Sequence, residues 1–233
     1  MAAAVKDVVQ EIGEEIRDKS FGALRILRLV NRAQHYFAMG HFPQLPGVAE
    51  ISLPTLETTG TVTTVASTAF AALPTNFMKD LHSCYSSKGD RECGIFDSLE
   101  LLKAVTEPNL DQAGTVHAVA RVGSNLYYQG ISATVDTLTI GYFRKPTDLE
   151  ANDNITIIPE AYAVDLFKFY VLANLPKPML PDLKFDPRPE LNDRLMSLAR
   201  DSLHARKPVR VIPSMDRLLG WHDNINDIRR YGY

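Results

Sequence analysis

Cysteine is scarce in this chain, and the known spacings of metal-binding cysteines do not occur. The 233 residues include two cysteines, Cys84 and Cys93. There is no CxxC pair and no cluster of cysteine and histidine, which argues against a structural zinc site. A hairpin would bring the two thiols together, but in a reducing compartment two such thiols are more often free. We therefore predict no metal site and leave the pairing of these cysteines open.

Long apolar runs and a basic leader are also missing. No apolar run approaches the roughly 20 residues that span a bilayer. The opening residues, MAAAVKDVVQEIGEEIRDK, are acidic and amphipathic, whereas a signal peptide is basic and then apolar. The formal net charge is −3, so nothing global attracts nucleic acid or an anionic membrane. We expect a folded protein of a cytosol-like compartment that does not bind membranes.

The motifs that accompany catalysis are missing as well. The chain has no Gly-rich phosphate loop, no GxSxG elbow, no HExxH and no calcium loop. Its histidines are scattered, and none lies near Asp or Glu at metal-ligand spacing; they are at positions 35, 41, 82, 117, 204 and 222. We expect a protein that is not an enzyme, with no catalytic residues and no cofactor.

Two amphipathic helices are predicted in the first forty residues. The first has an apolar stripe at helical spacing, formed by Val5, Val8, Val9, Ile12 and Ile16. The second is FGALRILRLVNRAQHYFAM, for which Ser20 is placed as the N-cap. Its predicted buried side consists of Leu24, Leu27, Val30, Ala33 and Phe37.

These two helices carry opposite charges on their outer sides. The first has Glu11, Glu14, Glu15 and Asp18, and the second has Arg25, Arg28 and Arg32. One interpretation is two solvated faces, in which each ion pair contributes only a few tenths of a kcal/mol. The other is inter-subunit contact, because a heterologous contact repeated around an axis closes a ring. Contact with DNA phosphates has less support, since no aromatic residues interleave with the arginines.

The middle of the chain favours β-strands. The stretches TVTTVASTAFAALP and NFMKDLHSCYSS are strand candidates, while residues 95–105 are ambiguous between strand and helix. The segments VHAVARV, LYYQGI and VDTLTIGYF then predict a meander of at least three antiparallel strands, the first two joined by a GSN turn.

Helices return near the C-terminal end. Pro159 begins one of them, and Asp186 caps another that ends before Pro208. The resulting prediction is an α+β fold: a four-helix bundle from the N- and C-terminal helix pairs, with an inserted antiparallel β module. The bundle is assigned to residues 1–40 and 155–207, the β-rich module to 41–154, and an extended C-terminal arm to 208–233.

The C-terminal arm is rich in the residue types that dominate interface hot spots. We predict that it docks on a neighbouring subunit or another partner surface, and folding back on its own bundle is the alternative. The docking residues would be Leu218, Leu219, Trp221, Ile225, Ile228, Arg229, Arg230, Tyr231 and Tyr233.

A second function is conceivable for the β meander. Its strands carry Tyr127, Tyr128, Tyr142 and Phe143, which would suit a carbohydrate- or peptide-binding module with an aromatic face. Aromatic residues that alternate on a strand are more often core, because the sheet must bury one face.

Four stretches in order resemble the head-to-tail adaptor proteins of short-tailed bacteriophages. They are LRLVNRAQHYFA, ALPTNFMKDLHSCY, GYFRKPTDL and IPEAYAVDLFKFYVLANL, and the resemblance runs from about residue 8 to residue 207. It implies a structural virion protein in the neck between capsid and tail, assembled in the cytoplasm of the bacterial host. Another neck or tail component is the nearest alternative.

The same resemblance implies partners. Such adaptors form a ring of twelve copies beneath the portal protein, extend the DNA channel and provide the platform for the tail nozzle and tail fibre proteins. The C-terminal segment would grip the portal. Double-stranded DNA would pass without being held, and an acidic net charge suits that role because basic walls would retain phosphates.

Overall fold

The computed structural model describes residues 3–16, 21–42, 45, 51–89, 92–106, 109–131, 133–176 and 186–205. These residues form a mixed α+β fold, which confirms the predicted class. The helices are α1 (Val5–Glu15), α2 (Ala23–Met39), α3 (Leu99–Val105), α4 (Glu160–Asn174) and α5 (Pro187–Ala205). The strands are β1 (Glu57–Thr63), β2 (Phe70–Ala72), β3 (Phe77–Ser86), β4 (Gly94–Phe96), β5 (Ala118–Val122), β6 (Asn125–Gln129) and β7 (Thr137–Arg144).

Two compact units divide the chain. The helical unit comprises Met1–Glu57 and Phe143–Arg206, and the described part of the sheet unit is Thr58–Tyr142. Compactness alone does not show that either unit folds independently. The predicted domain boundaries at 41 and 154 therefore stay a prediction, and the arm at 208–233 lies outside the described residues.

In the helical unit, α4 packs against α1, α2 and α5. It is the central helix because its apolar residues extend around its circumference; the buried ones are Ala163, Leu166, Phe167, Tyr170, Val171 and Leu172. The ring of Phe37 in α2 meets Phe167 edge-on at 5.3 Å. Thus helices from both ends of the chain pack together, although a regular four-helix bundle stays a prediction.

The predicted buried side of α2 is wrong for its first residue, Leu24. Leu24 is 75% exposed, whereas Ile26, Val30 and Phe37 are buried. At about 100° per residue, Leu24 lies about 200° around the helix from Ile26, so the two cannot face the same core. The helix begins after Gly22 without a side-chain cap, and the proposed cap Ser20 lies outside the described residues.

The strands form two sheets in place of the predicted three-stranded meander. The order is β1-β7-β3 in one sheet and β2-β6-β5-β4 in the other. The β5–β6 hairpin is confirmed, with Val122 paired to Asn125 and Gly123 at φ +60° in the turn. However, β6 has β5 on one side and β2 on the other, so β7 has no free edge of β6 to pair with and joins the three-stranded sheet.

Two other strand predictions change at turns. The chain leaves β1 at Thr63 and re-enters a sheet at Phe70, with Ser67 in the left-handed region at φ 58°. The single predicted strand is therefore two. Residues 95–105, which were ambiguous between strand and helix, form the end of β4 and then α3. Ser98 separates the two, and it caps α3 by accepting a hydrogen bond from the Leu101 amide at 3.1 Å.

The four-stranded sheet is buried on both faces. Val119 and Tyr128 join a core with residues of the three-stranded sheet, such as Leu138 and Ile140. On the opposite face, Ala118 and Ala120 pack with Phe96 and with Leu102 of α3. Because of this double coverage, three successive residues of β5 are buried and the expected alternation is lost.

Candidate functional site

The aromatic residues of the β region do not form a binding face. Tyr128, Tyr142 and Phe143 are buried, and Tyr127 is half-buried. The Tyr128 hydroxyl accepts from the Val65 amide at 3.2 Å, and burial raises the pKa of this phenol. The alternative of an aromatic binding face is therefore wrong, because Tyr128 and Tyr142 lie in the core between the two sheets and Tyr127 packs with the cluster that includes α3.

The acidic side of α1 has a cation within its own chain. The Lys168 ammonium of α4 lies 3.2 Å from Glu15 and 3.8 Å from Glu11. Its side chain is only 22% exposed, so its charge is held near these carboxylates. Glu14 is exposed and accepts a hydrogen bond from Gln10 at 3.1 Å, while Asp18 lies outside the described residues.

Among the described residues, no carboxylate forms an ion pair with the basic side of α2. Arg25, Arg28 and Arg32 are all exposed. The Arg25 guanidinium lies over the Phe21 ring, 5.9 Å from its centroid. The predicted bundle did not specify which helix lies beside α1, so sequence reasoning missed Lys168 as the counter-charge.

A groove lies along α1 and the start of α2 within the helical unit. Its volume is about 710 Å³, and its lining includes Val9, Gly13, Ile16, Phe21 and Ile26. The first turn of α2 also carries the exposed Leu24. The groove is only partly apolar, because Lys6, Gln10 and Glu14 also line it. Sequence reasoning missed this surface, because Leu24 fits the predicted buried stripe at a spacing of three.

A polar face of α2 holds the segment that follows β7. Asn31 Nδ2 donates to the Leu149 carbonyl at 3.0 Å, and Asn31 Oδ1 accepts from the Leu149 amide at 2.7 Å. Gln34 Nε2 donates to the Thr147 carbonyl at 2.6 Å, and His35 Nε2 lies 2.8 Å from Asp148 Oδ1. These bonds join two of the four stretches on which the resemblance depends, LRLVNRAQHYFA and GYFRKPTDL.

A second set of contacts joins GYFRKPTDL to ALPTNFMKDLHSCY in the sheet unit. The Tyr142 hydroxyl donates to Asn76 Oδ1 at 2.6 Å, and the Tyr142 ring stacks on Phe77 with centroids 5.1 Å apart. The Phe77 amide donates to the Pro74 carbonyl at 2.9 Å, which forms the turn before β3. The leucine-proline and asparagine-phenylalanine positions of this stretch are therefore structural.

A buried carboxylate lies between the ends of β3 and β7. Asp136 accepts hydrogen bonds from the hydroxyls of Ser86 and Ser87, both at 2.6 Å, and from the Thr137 amide at 2.7 Å. Burial opposes ionisation, but these hydrogen bonds and the charge of Lys88 outweigh it, so the pKa of Asp136 lies below its usual value. This carboxylate stabilises the fold when ionised.

The remaining predicted residues fall into two groups. The nine docking residues from Leu218 to Tyr233 lie outside the described residues, so their role stays a prediction. In the part of the chain that the structure describes, no three His, Cys, Asp or Glu side chains cluster to hold a metal ion. No described helix is both long and apolar enough to span a bilayer.

Comparison with known proteins adds one finding. A family model described as SU10 adaptor protein matches residues 3–175 of the 233. The matched range contains α1 to α4, all seven strands and the four stretches named above. No curated protein matches the chain.

Proposed function

The chain belongs to the SU10 adaptor protein family, a family of phage head-to-tail adaptors, and we propose that it forms a closed ring beneath the portal. Its role as a structural phage adaptor follows from the family. The ring, with twelve copies, and its attachments are the proposal. The observation that carries it is the family match, which includes both charged helices and the groove.

The charge distribution supports a contact between copies. Glu14 is exposed on α1, and Arg25 and Arg28 are exposed on α2 without a carboxylate partner among the described residues. Opposite charges on two different surfaces of one subunit suit a heterologous contact, which closes a ring when the rotation divides a full turn. The acidic side of α1 in one copy would meet the basic side of α2 in the next.

Charge alone is too weak to hold such a ring. Exposed ion pairs contribute about 0.2–1 kcal/mol each, and salt screens them. The groove of Val9, Ile16 and Phe21, with Leu24 beside it, supplies the apolar surface that a stable contact needs. We therefore propose that the helical unit forms the ring wall, as a four-helix bundle, with the charges setting orientation and the apolar groove contributing most of the affinity.

The proposed ring would continue the DNA channel without chemistry of its own. We propose that the protein is not an enzyme and carries no cofactor. With a net charge of −3, its surface does not favour retention of phosphates, so double-stranded DNA would slide through.

We further propose the attachments of the ring. The arm at 208–233 would anchor the ring on the portal protein, and the tail nozzle and fibre proteins would dock on its other side. The chain alone would be monomeric or weakly associated in the bacterial cytoplasm, and it would close into a ring where the portal aligns the copies.

Co-sedimentation with purified portal tests this proposal. The full chain is expected to sediment with the portal, while a chain ending at residue 207 stays in the supernatant with an unchanged far-UV circular dichroism spectrum. If the shortened chain sediments as well as the full chain, the arm is not the anchor. If neither binds, the adaptor role beneath the portal is contradicted.

A further inference from the structure

Two cysteines face each other across adjacent extended segments of the sheet unit. Tyr85 and Glu92 form an antiparallel bridge, so Cys84 and Cys93 are the next directly opposed pair along that ladder. The Cys93 amide donates to the Cys84 carbonyl at 2.8 Å. Opposed residues in such a pair have their Cα atoms about 5.5 Å apart, within the range that a disulfide spans.

Both cysteines are buried in the same hydrophobic core. Cys84 is 0% exposed and Cys93 is 2% exposed, and both belong to one core cluster with Val119 and Tyr128. Both thiols are free. A hydrogen bond between them, together with burial, raises the pKa of Cys84, and the same hydrogen bond lowers the pKa of Cys93. Cys93 is thus the more readily ionised thiol and the better nucleophile at neutral pH.

We infer that Cys84 and Cys93 are a modification site, at which a low-molecular-weight disulfide oxidises the pair to an intramolecular disulfide. The Cys93 thiolate attacks one sulfur of oxidised glutathione, and one glutathione thiolate leaves. The Cys84 thiolate then attacks Cys93 Sγ of the mixed disulfide, and the second glutathione leaves. The protein loses two electrons and two protons, and one oxidised glutathione becomes two reduced molecules.

The bond would connect the two sheets of this unit. Cys84 lies in β3 of the three-stranded sheet, and Cys93 immediately precedes β4 of the four-stranded sheet. A disulfide there closes a short loop and restricts the unfolded chain, so the oxidised protein should unfold at a higher denaturant concentration. The bond would form once a virion leaves the reducing host cytoplasm; only this timing rests on the proposed function.

Mass spectrometry of the full chain tests the inference by two routes. In the first, native protein is incubated with oxidised glutathione. In the second, denatured protein is refolded in a mixture of reduced and oxidised glutathione, because unfolding exposes thiols that are buried in the folded protein. After the product is denatured and its free thiols are blocked with iodoacetamide, we expect a mass about 2 Da lighter than that of the reduced chain and no blocked cysteine. A proteolytic peptide pair joined through Cys84 and Cys93 would identify the bond.

The single variants Cys84→Ala and Cys93→Ala are the matched controls, since neither can form the intramolecular disulfide. Each should carry one blocked cysteine or one glutathione, and neither should gain resistance to denaturant after oxidation. Folded wild-type protein with two blocked cysteines from both routes would overturn the inference. Disulfides found only between different chains would overturn it as well.

Discussion

The helical unit and the sheet unit both bury aromatic rings, but they differ in where a notable charged residue lies. In the sheet unit the Asp136 carboxylate is buried. The helical unit turns charge outward, with Arg25 and Arg28 exposed beside an apolar groove. We infer that the outer helix faces form the contact surface, whereas the described strands provide a buried core.

Topology explains the difference. The four-stranded sheet is covered by α3 on one face and by the second sheet on the other, so most of its apolar side chains are buried, while Phe70 in β2 stays 43% exposed. In contrast, α1 and α2 each bury one stripe and carry charged residues on the opposite side, whereas α4 is buried around much of its circumference. Substitutions in the sheet unit should therefore change stability, and substitutions on the outer helix faces should change assembly.

The largest effect is expected for Asp136→Ala in the sheet unit. The change leaves the hydroxyls of Ser86 and Ser87 and the Thr137 amide without their acceptor, which should lower the free energy of unfolding by about 2–4 kcal/mol. Chemical denaturation followed by far-UV circular dichroism measures it. Thr139→Ala, an exposed change on β7, which begins directly after Asp136, is the control; equal losses in both variants would contradict the inward role of Asp136.

The Asp136 carboxylate should also make the free energy of unfolding depend on pH. Because its pKa is lower in the folded chain than the unfolded value of about 3.9, its contribution is complete above that value and is lost as pH falls through the folded pKa. Wild-type protein should therefore lose more unfolding free energy below about pH 4 than Asp136→Asn does. Parallel stability curves for the two proteins would show that Asp136 does not titrate as described.

A smaller loss is expected for Asn31→Ala in the helical unit. The variant loses both hydrogen bonds to the Leu149 backbone, and the free energy of unfolding should fall by about 1–2 kcal/mol. His35→Ala, which removes only the exposed pair with Asp148, should cost less than about 1 kcal/mol. If His35→Ala proves the more costly change, the buried bonds are not what holds this segment on α2.

The smallest effect on stability should come from Lys168→Ala. The ion pairs with Glu11 and Glu15 are partly exposed, so their loss should cost about 0.5 kcal/mol and should shrink further at high salt. Arg28→Ala serves as the control, since Arg28 has no carboxylate partner among the described residues and its removal should leave stability unchanged. An effect of Arg28→Ala as large as that of Lys168→Ala would mean that the two helix faces are not different.

Local residue spacing predicted most of the helices and strands, but it did not predict which distant residues contact each other. The stripe of Val5, Val8 and Ile12 and the Gly123 turn follow from spacing and backbone preference alone. The pairing of β7 with β1 and β3 does not, because an alternating strand fits either sheet equally well. For the same reason Lys168 and the serine partners of Asp136 were missed: the paired residues are at least 49 positions apart.

The exposure of the charged side of α2 was predicted from the sequence. The arginines of α2 are exposed as the sequence indicated, but Leu24 and the groove depend on the exact phase of α2 against its neighbours. Whether acidic and basic faces meet between copies stays a prediction, since it is a property of an assembly.

Electron microscopy of the chain mixed with purified portal tests the central claim most directly. Wild-type protein should add a ring-shaped layer to one face of the portal, and Arg200→Glu, an exposed change on α5, should leave that layer intact. The double variant Arg25→Glu and Arg28→Glu should keep its circular dichroism spectrum and lose the layer. No added ring with wild-type protein would contradict the adaptor assembly, and a complete ring with the double variant would contradict the charged contact.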